Sequence, residues 1–150
     1  MIDRERLSAF LELESLAFLG ASRNGRKFGN HLIRALRERG TRVLPVHPGA
    51  AQLEGLPTLR ALEDLPVGVG GAVLVIKPTA VLAALPELAV AGISRVWVQQ
   101  GGESPAAAAK ARELGLELIQ GQCLLMFLDQ AGWFHRVHHR IAAWTGQVPA

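Results

Sequence analysis

The stretch Ser15-Leu-Ala-Phe-Leu-Gly20-Ala-Ser22-Arg-Asn-Gly25-Arg-Lys27-Phe-Gly29 runs from a short apolar segment straight into a turn of small residues. A continuous apolar run of this length, without polar alternation, reads as a strand buried on both faces. The turn leads into a helix whose apolar face carries Leu32, Ile33 and Leu36. Small residues let backbone approach a ligand closely, and the free N–H groups and dipole of a helix start attract negative charge. The spacing therefore predicts a phosphate cradle, with a plain tight connection as the alternative reading of the same residues. Against the fingerprint G-x-G-x-x-G, Gly20 and Gly25 fit and Ser22 stands where the middle glycine belongs.

Working outward, the alternation of strand and helix continues to the far end of the chain. A short amphipathic helix is expected over about residues 3–13, ahead of the first strand, Ser15 to Leu19. The following helix ends at Gly40, a good C-cap, and Arg42 to Val46 forms a second strand that stops at His47-Pro48. A loop with Gly49, Gly55 and Pro57 leads to a helical turn near Leu59 to Leu65, then to a third strand, Ala72 to Ile76. Lys77-Pro78 opens a helix that runs to Ala91 and is capped by Gly92. Arg95 to Gln99 is a fourth strand, Ser104-Pro105 starts an alanine-rich helix ending near Gly115, and Leu116 to Gln120 is a fifth strand. Short apolar strands separated by helices define an α/β fold, a doubly wound parallel sheet of about five strands with helices on both faces. Ligands of such sheets bind outside the carboxyl ends of the strands, where the winding reverses.

Composition sets outer limits. The 150 residues suit one domain, with no second domain needed. The single cysteine, Cys123, excludes an intramolecular disulfide framework and agrees with a reducing cytoplasm. No secretion signal is visible in Met-Ile-Asp-Arg-Glu-Arg. The longest apolar run, Leu65 to Ile76, is 12 residues broken by Pro66 and three glycines. A bilayer span needs roughly 20, so a soluble chain without membrane association is expected. The formal net charge is only +3, but it is uneven: Ser22 to His47 carries seven basic residues against Glu38, whereas Pro48 to Gln130 carries five basic and eight acidic residues. Arg34, Arg37 and Arg39 read as a solvated helix face. Arg23, Arg26 and Lys27 crowd a helix start, where basic residues are unfavourable unless an anion is present.

An NAD site places a carboxylate at the end of the second strand to read the ribose. That position here is Val46-His47-Pro48-Gly49, Glu38 lies mid-helix, and Glu54 stands well past the strand end. A phosphorylated ribose met by His47 or an arginine stays open, including an NADP-type domain, but a phosphate-rich nucleotide bound without redox chemistry fits better.

Gly20-Ala-Ser-Arg-Asn-Gly-Arg-Lys-Phe-Gly29 closely resembles the first loop of the CoA-binding domain at the N-terminus of succinyl-CoA synthetase alpha subunits and acyl-CoA synthetases. Val43-Leu-Pro-Val-His-Pro48, Val96-Trp-Val-Gln-Gln-Gly101 and the loop with Cys123 resemble stand-alone bacterial CoA-binding proteins of that group, over about residues 7–126. The resemblance implies a Rossmann-like domain that binds coenzyme A or acyl-CoA. Gly20, Ala21, Ser22, Arg23, Lys27, Phe28 and Gly29 would lie on the diphosphate, and His47 and Pro48 near the adenosine. Ile76, Lys77, Pro78, Val81, Gln99, Gly101 and Cys123 would lie along the pantetheine. One departure is Leu124, where the family usually has a proline after its cysteine. A second is the absence of the phosphohistidine domain and nucleotide-binding partner of the synthetases, so no catalytic residue is expected and the chain reads as a carrier, a sensor or a component needing a ligase-type partner.

Two features have simpler readings. Cys123 reads as a small buried hydrophobe, with disulfide exchange toward a bound thiol as the alternative. In the tail, about residues 132–145, His135 and His139 are spaced i, i+4, but no acid or cysteine lies close, and Phe134, Val137, Ile141 and Trp144 form an apolar stripe of which the histidines are the polar face. No metal and no nucleic acid is expected; the stripe docks on the domain or on a second subunit, giving a homodimer.

Overall fold

The computed structural model describes residues 3–128. Asp3 accepts a hydrogen bond from the Glu5 N–H at 2.9 Å and so caps helix α1, Arg4–Leu11. Strand β1, Ser15–Leu19, leads through the glycine loop to α2, Phe28–Glu38, and then to β2, Arg42–Val46. A small hairpin, β3 Gln52–Leu53 and β4 Leu56–Pro57, precedes a 3-10 turn at Leu62–Asp64. There follow β5 Gly71–Leu74, α3 Pro78–Val90, β6 Arg95–Gln99, α4 Pro105–Leu114 and β7 Glu117–Gln122, with a helical stretch over residues 124–128. The main sheet has the order β2-β1-β5-β6-β7 and every pairing in it is parallel. This is the doubly wound α/β architecture the alternation predicts.

Each strand divides its side chains between two cores, as a sheet covered on both faces requires. Ala17, Ala72, Leu74, Val96 and Val98 pack with Val81, Leu85 and Leu88 of α3 and Ala107 of α4. Leu16, Phe18, Val73, Trp97 and Ile119 pack on the other side with Phe10 of α1, Leu32, Ile33 and Leu36 of α2, and Leu124 and Leu128. Trp97 is fully buried there, its ring 5.4 Å from that of Phe10 and 5.6 Å, edge-on, from that of Phe127. Gly40 ends α2 at φ 89°, with the Thr41 N–H returning to the Leu36 carbonyl at 3.1 Å, a Schellman-type stop.

Three details differ from the sequence reading. The third strand, expected to reach Ile76, ends at Leu74, with the Val75 N–H still donating to the Leu19 carbonyl at 2.8 Å before the chain passes close to Gly20 and Gly102. The fifth strand continues to Gln122 through Gly121 at φ 80°, with a register shift opposite Val98 and Gln99, a bulge that carries the strand further into the ligand edge. The β3–β4 hairpin occupies the stretch expected to be loop: its two-residue turn places both Glu54, φ 52°, and Gly55, φ 76°, in the left-handed region that a primed hairpin turn demands.

The close approach of the loop to the helix falls on Gly29. A Cβ there would overlap the Gly20 carbonyl, and a Cβ on Gly20 would overlap the Val75 carbonyl. Gly25, the fingerprint position, sits within the loop, and its Cβ would make only an ordinary 3.5 Å contact with Glu54 Oε2. We predict that Gly29→Ala destabilises the fold by about 2 kcal/mol, the order of an overpacked backbone contact, while Gly25→Ala changes stability by less than about 0.5 kcal/mol. Urea unfolding of the two variants checks this, and equal effects would refute it.

Candidate functional site

The winding reverses between β1 and β5, which are neighbours in the sheet but lead to helices on opposite faces. At their carboxyl ends the loop 20–27 and the turn 75–77 meet. The two helices that leave this point, α2 and α3, start at Lys27 and Lys77; both caps lack a side-chain hydrogen bond, and neither first turn holds an acid.

Polar side chains hold the loop in a particular way. Ser22 N–H donates to Asn30 Oδ1 at 2.9 Å, Asn24 N–H to Ser22 Oγ at 3.1 Å, and Arg26 N–H to Asn24 Oδ1 at 3.1 Å. The alternate N–H groups, of Ala21, Arg23 and Gly25, and those of Phe28 and Gly29 in the first helical turn, find no acceptor among the described residues. Unpaired amides at a helix start attract an anion. Arg23, Arg26, Lys27 and Phe28 are exposed around it.

Asn30, buried to 1% exposure, locks the loop. Its Nδ2 donates to the Ser22 carbonyl at 2.8 Å and to Glu54 Oε2 at 3.0 Å. Glu54 in turn accepts from Arg34 Nη1 at 2.7 Å, Arg34 also reaches the Gly25 carbonyl, and Arg37 donates to the Glu54 carbonyl at 3.0 Å. Arg34 and Arg37 are therefore not simply a solvated face; they join α2 to the hairpin tip under the loop. The hydrogen bonds from Asn30 and then Arg34, helped by the charges of Arg34 and Arg37, hold the Glu54 carboxyl below its ordinary value of 4.5, against the opposing effect of burial. Sequence reasoning missed Asn30 and Glu54, which stand 24 residues apart. The hairpin thus brings an acid to the loop after all, but with its carboxylate already engaged by Asn30 and Arg34.

The turn after β2 is tied to the same loop. Arg23 Nη2 donates to the Gly49 carbonyl, and His47 Nδ1 accepts from the Gly49 and Ala50 N–H groups at 3.0 and 2.9 Å. That arrangement puts the ring hydrogen on Nε2. Pro48 is exposed beside it.

Further along the edge, Lys77 and Pro78 are exposed and Ile76 is half-buried, whereas Val81 has no accessible surface and supports the edge from within the core. Gln99 is 6% exposed, and its Oε1 accepts from the Leu124 N–H at 3.0 Å, a bond that proline at position 124 could not make. Gly101 turns the chain at φ 104°, and Cys123 is half-buried. Apart from Val81, Gly29 and Gln99, which are buried, the residues expected at the site lie half-buried or exposed at this end of the sheet. No cluster of three or more metal-ligating side chains occurs among the described residues, and no helix among them is long and apolar enough to cross a membrane. The tail residues His135, His139, Phe134, Val137, Ile141 and Trp144 lie outside the described residues.

A doubly wound parallel sheet with this loop at its switch point is a domain of the Rossmann-like class. The sequence pattern of the CoA binding domain matches residues 14–129, and the chain belongs to that family. A conserved hypothetical protein from Pyrococcus furiosus is similar at 34% identity, over 75% of this chain and 97% of its own, with a TM-score of 0.72. A Thermus thermophilus structure is 30% identical over 84% of this chain and 96% of its own, with a TM-score of 0.74. The dinucleotide-forming acetyl-coenzyme A synthetase 1 of Ca. Korarchaeum cryptofilum, in complex with phosphate and ADP, is 27% identical over 79% of this chain but only 27% of its own, with a TM-score of 0.66. No curated protein matches.

Glu54 gives a pH prediction. A carboxyl held below its ordinary value stabilises the fold fully above that value and loses its contribution as pH falls through the lowered one. Glu54→Gln should therefore be less stable than wild type by about 1 kcal/mol near neutrality, with the gap closing below pH 4.5. Urea unfolding at several pH values measures this; a gap independent of pH would contradict it.

Proposed function

We propose that the protein binds coenzyme A, or an acyl-CoA, along the carboxyl edge of its sheet. The observation that carries the reading is the loop 20–29: unpaired amides of Ala21, Arg23, Gly25, Phe28 and Gly29, ringed by Arg23, Arg26 and Lys27 at a helix start with no acid in its first turn. The helix dipole makes those cations unfavourable there, and the diphosphate of the ligand offsets this. The turn at His47 and Pro48 takes the adenosine side, and the edge from Ile76, Lys77 and Pro78 through Gln99 and Gly101 to Cys123 takes the pantetheine arm. Family membership and the synthetase likeness support coenzyme A over other nucleotides. The engaged carboxylate of Glu54 weighs against the ribose reading that NAD requires.

The role that follows is a non-catalytic carrier or sensor in the cytoplasm, a compartment that suits a chain with one free cysteine. A component of a CoA ligase is the second reading, favoured by one observation: the synthetase region similar to this chain is 27% of that protein. Ligase chemistry would then need further parts from a partner subunit. A homodimer formed through residues 132–145 is compatible with either role.

Isothermal titration decides between ligands. Coenzyme A should bind more tightly than NAD or NADP, and its affinity should fall with added salt as phosphate contacts are screened. Lys27, whose ammonium has no partner among the described residues, is the cleanest probe, because Arg23 also braces the Gly49 turn. Lys27→Ala should weaken coenzyme A binding by about 1.5 to 3 kcal/mol while the melting temperature stays unchanged. Equal or tighter binding of NAD would overturn the reading.

A further inference from the structure

The two edges of the main sheet are finished differently. β2, at one end, carries Pro45, which has no N–H to offer. Its outer side is also covered: the Leu59 N–H donates to the Pro45 carbonyl at 2.9 Å and the His47 N–H to the Leu59 carbonyl at 2.8 Å. β7, at the other end, pairs with β6 alone among the described residues. It holds no lysine and no proline, and its single charge, Glu117, is engaged by Arg95 at 3.1 Å. Soluble proteins blunt an open edge with such residues or cover it, so a plain edge calls for a partner. Residues 132–145, further along the chain, carry their apolar positions at helical spacing, and a helix spends its backbone groups on itself rather than on a strand edge.

The backbone of β7 sets which groups face outward. In a parallel ladder the N–H and C=O of one residue point to the same neighbouring strand, and those of the next residue point the other way. The Glu117 N–H donates to the Ser94 carbonyl at 2.8 Å, so Glu117 and Ile119 face β6 while Leu118 and Gln120 face away. Two outward residues separated by one are self-complementary. A two-fold axis through Ile119 sets Leu118 against the partner's Gln120, N–H to C=O in both directions. The Gln120 side chain is turned to the start of α4 instead, where it bonds the Ser104 N–H and carbonyl.

The same axis suits the side chains. Ile119 meets the partner's Ile119 across a non-hydrogen-bonded pair, with Cα atoms about 4.5 Å apart, beside a shallow groove lined by Arg6, Phe10, Arg95, Glu117 and Ile119. Glu117 falls opposite the partner's Gly121, which keeps the two Glu117 carboxylates about 13 Å apart along the strands. Like charges are not opposed, and the half-buried Leu118 gains cover.

We propose that β7 pairs antiparallel with β7 of a second copy of this chain, about a two-fold axis at Ile119, and joins the two sheets into one. Because the paired strands run oppositely, the carboxyl edges of the two copies lie at opposite ends of the joined sheet and both stay open.

Sedimentation velocity of wild type and of Leu118→Pro tests the pairing, since the proline removes an outward N–H and leaves the bonds to β6 in place. Wild type should sediment as a species of twice 16.1 kDa, and Leu118→Pro should weaken dimerisation about 10- to 100-fold. Cross-linking reads the register and decides the matter if the proline variant does not fold. In a Cys123→Ser background, Ile119→Cys should form an intermolecular disulfide on oxidation. Leu118→Cys, whose Cα atoms would lie about 8 Å apart and out of disulfide reach, should not. A monomeric wild type overturns the proposal, including one whose edge is covered by residues 129–150. A dimer that folded Leu118→Pro leaves as tight as wild type, or in which Ile119→Cys does not link in preference to Leu118→Cys, overturns it and places the interface elsewhere.

Discussion

Three stretches of backbone meet at the switch point with no side chain between them: the Val75 carbonyl on Gly20, and the Gly20 carbonyl on Gly29. Everything at the ligand edge depends on that contact. It brings the start of α2 down onto the end of β1. It also sets Asn30, the next residue along the helix, deep enough to be buried and near enough to clamp Ser22 through both its amide atoms. A buried carboxamide with all its partners rigidifies its surroundings, whereas an unpaired one is costly. Glu54 supplies the remaining acceptor. The hairpin at 52–57 therefore serves the loop: its tip delivers one carboxylate to Asn30 and Arg34.

The electrostatic arrangement follows from this frame. Engaging Arg34 and Arg37 with the hairpin removes two of the local positive charges from direct ligand contact and leaves Arg23, Arg26 and Lys27 at the surface. Those three lie at the positive end of the α2 dipole, where the protein alone does not stabilise them. Toward β6 and β7 the basic side chains give way to the Glu103 carboxylate and to carboxamides at Gln99 and Gln120 engaged with backbone groups. Such an edge suits a ligand that is anionic at one end and neutral at the other.

The strands were legible because burial on both faces forces continuous apolar runs, and Ser15–Leu19, Arg42–Val46 and Arg95–Gln99 begin and end where glycine, proline and charge interrupt those runs. The site's outline was legible for the same reason: the ends of strands are the ligand edge. What could not be read is tertiary. Two-residue strands carry no periodicity, so the hairpin was invisible, and its turn uses Glu54 at positive φ where asparagine or aspartate would have been the cue. Asn30 looked like any polar residue on a helix, and Arg34 and Arg37 like a solvated face, because their partner lies 20 and 17 residues away across the hairpin. The fingerprint itself misdirected the third glycine to Gly25, since the loop is longer than the motif assumes and α2 starts only at Phe28.

The most direct test of the account is amide chemical-shift mapping of the 16.1 kDa protein titrated with coenzyme A. The account predicts that the largest shifts fall on Ala21, Arg23, Gly25, Phe28 and Gly29, whose N–H groups have no acceptor among the described residues, with weaker ones continuing to Gln99 and Leu124. Shifts confined to the opposite edge, around Arg95 and Glu117 at the strand starts, or no shifts in the loop at saturating ligand, would contradict it.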